Sequence, residues 1–157
     1  FDLELSYAPS FGTGKDVVNK IGYIASNLNE KLFKQIAFME TYDLLKAGAQ
    51  IIDVREACEY NEGSIKGVVN IPMSEMRERL DELDKTKPVY VHCRTGERSY
   101  NMTLMLQEKG FDAKNIAGAY EFIKVYEEIS CYNDKTREKI MIGDCTGCCA
   151  TLENTKF

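Results

Sequence analysis

The chain has 157 residues, 44% of them hydrophobic, and 20 Lys and Arg against 25 Asp and Glu give a net charge of −5. That length favours one domain with an appendage, and the apolar share suffices for a proper core, which excludes a globally disordered chain. Charges of both signs are interspersed without a Lys/Arg stripe, so neither nucleic acid nor an anionic membrane is expected as a partner, and no apolar run approaches the ~18 residues of a membrane span.

In chain order, Phe1-Asp2-Leu3-Glu4-Leu5 lacks the basic n-region of a signal peptide and an initiator Met. The expectation is an excised fragment or processed product with a cytoplasmic location. Tyr7 to Gly14 is turn-rich. A helix-like stretch follows, with Val18, Ile21, Ile24 and Ala25 on one side. Residues 27–34 are polar and read as a linker. Gln35-Ile36-Ala37-Phe38 reads as a short strand. Thr41 is placed to cap a helix that runs through Lys46 and ends at Gly48. Ile51–Val54 is a continuous apolar strand of the kind buried on both faces, and Val68–Ile71 is another. Met73, Met76, Leu80 and Leu83 recur at helical spacing, with Glu75 and Arg79 as an i,i+4 pair on the solvated face. Val89–Val91 is the central strand. Ser99–Lys109 is a helix with Met102, Met105 and Leu106 on one face, stopped by Gly110. Asn115–Ala117 is a short strand. Ala119–Ile129 is a helix with Phe122, Ile123, Tyr126 and Ile129 facing inward. Strands alternating with helices imply an α/β fold with a mainly parallel central sheet of about five strands flanked by helices.

The chemistry concentrates at residues 92–99, His-Cys-Arg-Thr-Gly-Glu-Arg-Ser. Cys93 leaves a buried strand and enters a tight loop before a helix. Helix N-termini present unpaired N–H groups and partial positive charge. With Arg94 and Arg98 alongside, that setting favours thiolate over thiol and makes Cys93 the candidate nucleophile. Gly96 lets the backbone curl, so the amides of residues 94–99 can form a nest for an anion. Arg94 and Thr95 line the mouth, Glu97 is solvated, and Ser99 opens the helix. Arg98 either stabilises an anionic donor or closes the loop by pairing with a carboxylate.

A second motif lies upstream: Ile51-Ile52-Asp53-Val54-Arg55-Glu56, then Glu59, then Gly63-Ser64-Ile65-Lys66-Gly67-Val68-Val69-Asn70-Ile71-Pro72. Together with the Cys93 loop, in this order and spacing, it resembles the rhodanese (sulfurtransferase) family over residues 35–130. The family's Gly-Gly after the last core strand is Gly118-Ala119 here, and its Trp is missing, since the chain has no Trp. The resemblance implies a rhodanese-like domain over residues 31–143. It implies sulfur transfer, in which Cys93 takes a sulfane sulfur from a small donor as a persulfide and passes it to a thiol or cyanide acceptor, a covalent ping-pong scheme. It implies that Asp53, Arg55, Glu56 and Glu59 order the loop, an ion-pair role favoured over substrate contact. Related phosphatases on this fold have a C-x5-R loop, whereas Cys93 to Arg98 is C-x4-R, which suits sulfur and disfavours phosphatase or arsenate chemistry. A non-catalytic docking module on the same fold is the alternative reading.

Asp2-Leu3-Glu4-Leu5-Ser6-Tyr7-Ala8-Pro9 is similar to the end of the dimerisation domain in FAD-dependent pyridine nucleotide-disulfide oxidoreductases, in the style of NADH oxidases and coenzyme A-disulfide reductases. Residues 1–30 are therefore expected to be the tail of such a domain, or else a plain N-terminal extension. The resemblance implies a flavoenzyme domain as partner, FAD and NAD(P)H in a longer parent, and a possible homodimer. The chain itself has no G-x-G-x-x-G loop after a strand, so no cofactor is expected within it.

The 6 cysteines are Cys58, Cys93, Cys131, Cys145, Cys148 and Cys149, read as reduced thiols. Cys58 reads as a packed or surface thiol, and Cys131 has no motif around it. Residues 144–157 form a Cys-rich tail. Its C-x-x-C and adjacent thiol are an incidental piece of a truncated domain, a redox or sulfur relay, or an incomplete metal site. With His92 the only histidine, no metal is expected.

Overall fold

The computed structural model describes residues 17–136 and 138–143. The chain divides into two compact units, Phe1–Lys34 and Gln35–Phe157. In the first, helix α1 spans Val17–Asn29. It runs into the segment expected as linker, and its end closes with the Leu32 N–H on the Asn27 carbonyl at 2.9 Å. Val18, Ile21, Ile24 and Ala25 are all exposed.

The second unit is built on a parallel sheet. Its elements are β1 (Gln35–Ala37), α2 (Thr41–Lys46), β2 (Gln50–Asp53), α3 (Ala57–Glu62), β3 (Ser64–Ile65), β4 (Val69–Asn70), β5 (Val89–His92), α4 (Glu97–Glu108), β6 (Ala113–Ala117), α5 (Ala119–Asn133) and β7 (Met141–Ile142). Five strands lie in the order β1-β6-β5-β2-β4, every neighbouring pair parallel. β3 and β7 form a separate antiparallel pair. β5 is the middle strand, as expected from Val89–Val91.

The apolar runs follow from burial on both faces of this sheet. Ile52, Val89 and Val91 pack with Ile71, Met76, Leu106 and Phe111 on one side. Ile51 and Tyr90 face the other side, with Ile65, Ile116, Tyr120 and Ile123. Neighbouring residues on β2 thus enter different cores, so no polar alternation is possible there.

Three expectations need correction. Residues 73–84 are not an α-helix. Successive turns, with Glu75 N–H on Pro72 O and Glu78 N–H on Glu75 O, lead to a short 3-10 turn at Leu80–Glu82. Over so short a segment, three-residue turns bury Met76 and Leu83 as well as a helix would. Thr41 does not cap α2. Glu40 holds the cap position, and the buried Thr41 hydroxyl has no hydrogen-bond partner among the described residues. On α5, Phe122 and Ile129 point to solvent, and the buried stripe is Tyr120, Ile123, Glu127 and Cys131. A carboxylate belongs in that stripe because Glu127 accepts hydrogen bonds from the Tyr42 hydroxyl at 2.8 Å and the Ile140 N–H at 3.1 Å.

Candidate active site

The nucleophile loop starts where β5 ends, at the carboxyl edge of the sheet. The Val54 N–H holds the His92 carbonyl at 2.9 Å, which fixes the strand end. Gly96 has φ +115 and is the N-cap of α4. That left-handed turn brings the Gly96 N–H onto Cys93 Sγ at 3.1 Å. The Ser99 hydroxyl lies 3.5 Å from the same sulfur and 3.1 Å from the Gly96 carbonyl. The N–H groups of residues 97–99 open α4 and have no acceptor within the helix. Cys93 is only 1% exposed, with apolar neighbours on its core side. A sulfur so placed meets donors from the loop, and those donors can hold negative charge on it.

The loop is gripped from a second helix. The Tyr120 N–H donates to the Cys93 carbonyl at 3.0 Å, and the Glu121 N–H to the Arg94 carbonyl at 3.1 Å. Both amides belong to the first turn of α5, whose own acceptors are lacking. Gly118 (φ +81) and Ala119 (φ +49) make the left-handed corner that aims them. The Arg94 Nε also bonds the Glu121 carboxylate at 2.7 Å.

Arg98 closes onto a carboxylate. Its two terminal nitrogens meet both oxygens of Glu59, at 2.5 and 2.8 Å. The Arg98 guanidinium holds the Glu59 carboxyl down at about 2. Glu59 also accepts the Glu56 N–H at 3.2 Å, so α3 starts on the residue that anchors the loop.

Beneath the loop, Asp53 and Arg55 form a buried pair at 2.7 Å. The Arg55 guanidinium donates further to the Glu59 and Gly63 carbonyls and lies 3.8 Å from the centre of the Tyr120 ring. One arginine thus links β2, α3 and α5 under the site. His92 is fully buried, its Nδ1 3.9 Å from Asp53 Oδ1 and its Nε2 without a hydrogen-bond partner among the described residues. Burial pushes its pKa down, so the ring is neutral.

The structure therefore brings Cys93, Arg94, Gly96, Arg98 and Ser99 together, with Asp53, Arg55 and Glu56 behind them. Thr95 is exposed on the loop, and Glu97 is exposed at the first position of α4. Ser74 Oγ reaches Glu56 at 3.4 Å. Cys58 is exposed and Cys131 buried, while Cys145, Cys148 and Cys149 lie outside the described residues. Sequence reasoning missed Tyr120 and Glu121, whose only trace is the Gly118-Ala119 corner before a helix. Among the described residues no group of three or more His, Cys, Asp or Glu could hold a metal ion, and no helix is long and apolar enough to cross a membrane.

The family model for the rhodanese-like domain matches residues 39–125. The chain belongs to the rhodanese-like family. The thiosulfate sulfurtransferase GlpE of Coxiella burnetii is 32% identical over 104 residues, which are 65% of this chain and 97% of that one. The reduced form of Bacillus anthracis CoADR-RHD is 42% identical, with a TM-score of 0.73 over 77% of this chain. The NAD-dependent persulfide reductase of A. fulgidus is 36% identical, with a TM-score of 0.67 over 76%. The matches cover only 22% and 21% of those two larger proteins. The α/β architecture, a five-stranded parallel sheet flanked by helices, is the rhodanese fold.

Proposed function

We propose that this rhodanese-like domain transfers sulfane sulfur through a persulfide on Cys93. Cys93 Sγ attacks the outer sulfur of a donor, whose S–S bond breaks and whose leaving group departs with the electron pair. A thiol or cyanide then attacks the outer sulfur of the cysteine persulfide and releases Cys93. The observation that carries this reading is the Gly96 N–H on Cys93 Sγ within a C-x4-R loop. The same donor, with the N–H groups that open α4, would hold a terminal persulfide anion. His92 is neutral and buried, so no general base is assigned to it.

On this reading the module serves a flavin-dependent disulfide or persulfide reductase in the cytoplasm, and it exchanges sulfur with the reductase site. FAD and NAD(P)H belong to that partner domain, and the parent is a homodimer. The likeness to CoADR-RHD and to the persulfide reductase supports the pairing. Cys145, Cys148 and Cys149 are proposed as a sulfur relay beyond the domain.

The test is a thiosulfate:cyanide assay combined with intact-mass detection of one added sulfur. Cys93→Ser is expected to lose activity by about 10³-fold or more and to show no adduct. Undiminished turnover in that variant would refute the assignment. Turnover of an aryl phosphate instead would point to phosphatase chemistry.

A further inference from the structure

The chain after α5 turns back and is fastened at each step. The Ile140 N–H donates to the buried Glu127 carboxylate at 3.1 Å, and the Ile140 carbonyl accepts the Lys66 N–H at 2.6 Å. Met141 pairs with Ile65 and is buried with it. Gly143 then lies so close to the end of α3 that an added Cβ would stand 2.7 Å from the Glu62 carbonyl oxygen and 3.1 Å from Gly63 Cα. That position adjoins the nucleophile loop. The Gly63 carbonyl accepts Arg55 at 2.7 Å, Arg55 lies 3.8 Å from the centre of the Tyr120 ring, and the Tyr120 N–H holds the Cys93 carbonyl at 3.0 Å. Glu62 also acts on Arg94 at the mouth, whose charged form is favoured by Glu121 first and by Glu59 and Glu62 after it.

Three thiols follow within six residues of Gly143, in Asp144-Cys145-Thr146-Gly147-Cys148-Cys149. They lie outside the described residues, and what bears on them is reach. A chain covers at most ~3.5 Å per residue, so Cys145 stands no more than ~7 Å from Gly143, and Cys148 and Cys149 no more than ~17 and ~21 Å. Gly63, Arg55 and Tyr120 separate Gly143 from Cys93, a span too wide for ~7 Å and within the scope of ~17 Å. Access to Cys93 also favours a slender arm, because its side chain is 1% exposed, and Gly147 adds no side chain beside Cys148. A thiol on the same chain arrives at an effective concentration on the order of 1 mM, and a C-x-x-C setting raises its thiolate fraction.

We propose that the Cys148–Cys149 pair is the built-in acceptor of the sulfur carried by Cys93, brought to the loop by the anchorage of β7. The proposal rests on the sulfur-transfer reading. A thiolate of the pair attacks the outer sulfur of the Cys93 persulfide. A new S–S bond forms on the tail, the S–S bond at Cys93 breaks, and Cys93 leaves as a thiolate with the electron pair. A proton on the outer sulfur stays there, and no oxidant or reductant is consumed.

The experiment loads the reduced full chain with less than one equivalent of thiosulfate, which expels sulfite as Cys93 takes the sulfur. Thiols are blocked with iodoacetamide at successive times, and the added sulfur is mapped on tryptic peptides. Residues 86–94 carry Cys93, and residues 140–156 carry all three tail cysteines. The sulfur is expected on 86–94 first and on 140–156 later, with a transfer rate constant unchanged on ~20-fold dilution of the protein, as intramolecular transfer requires. In C148S/C149S the tail label should fall about tenfold or more, and further than in C145S. Sulfur that stays on Cys93 in the unsubstituted chain, a rate that falls in proportion to dilution, a tail label undiminished in C93S, or a greater loss in C145S than in C148S/C149S would each overturn the proposal. The dilution series needs no variant and decides the matter if C148S/C149S fails to fold. A chain that takes up no sulfur at all would be a different result, because it overturns the sulfur-transfer reading itself.

Discussion

Arg98 and Glu59 show how much of the site is held by side chains that do not face the sulfur. Their bidentate contact ties the first turn of α4 to α3 across a sequence separation of 39. The Glu59 carboxyl is depressed from 4.5 to about 2, chiefly by the hydrogen bonds from Arg98. A carboxyl with a lowered folded pKa stabilises the fold fully above its unfolded pKa, and the gain disappears as pH falls through the folded value. Glu59→Gln should therefore cost about 1 kcal/mol at pH 7. The deficit should shrink below pH 4.5 and vanish near 2. Urea titrations of both proteins across that window measure it, and a gap independent of pH would contradict the assignment. At this scale the sequence was readable where the signal is local. Cys93, Gly96 and Ser99 lie within seven residues of one another, and strand, glycine and helix start specify their loop. Tyr120 and Glu121 were hidden because they reach the loop only through the packing of α5, 27 residues away.

Among the elements, β3 and β7 are the pair that periodicity could not reveal. Each has two residues, too few for an alternation. Their pairing is fixed by neighbours: the Lys66 N–H on the Ile140 carbonyl, and Gly143 seated against the end of α3. Gly143 has φ +95, and an added Cβ would lie 2.7 Å from the Glu62 carbonyl oxygen. Gly143→Ala should therefore weaken this pair by about 1–3 kcal/mol. Amide exchange at Lys66 reports it directly, and unchanged protection there would refute the close approach. The reading of α5 failed for a related reason. A helix stripe chosen by hydrophobicity puts Phe122 and Ile129 inside, yet the partners that allow Glu127 inside come from Tyr42 and Ile140, distant in sequence. The strands β2 and β5 were legible because burial on both faces leaves a continuous apolar run, which needs no partner to be recognised.

For the molecule as a whole, acid sensitivity has one identifiable source near neutrality. His92 is the only histidine, it is fully buried, and burial lowers its pKa below 6.5. The unfolded chain takes up a proton that the folded chain refuses. Stability is thus complete above pH 6.5 and falls as the medium is acidified below it. The slope approaches ~1.4 kcal/mol per pH unit at most. His92→Gln should flatten the profile between pH 6.5 and ~5.5, where carboxyl groups still contribute little. Chemical denaturation over that interval decides it, and an equally steep slope in the variant would place the sensitivity elsewhere.

The strand order carries a consequence for biosynthesis. Among the described strands β1 pairs only with β6, and Gln35 sits beside Asn115, so β1 waits eighty residues for its mate. While a ribosome extends the chain, β1 leaves the exit tunnel with its backbone groups unengaged and remains so until Ala117 has emerged. Loop closure over that span is slow, and the sheet is sealed by β1 only after the strands that lie between it and β6 in the chain have been made.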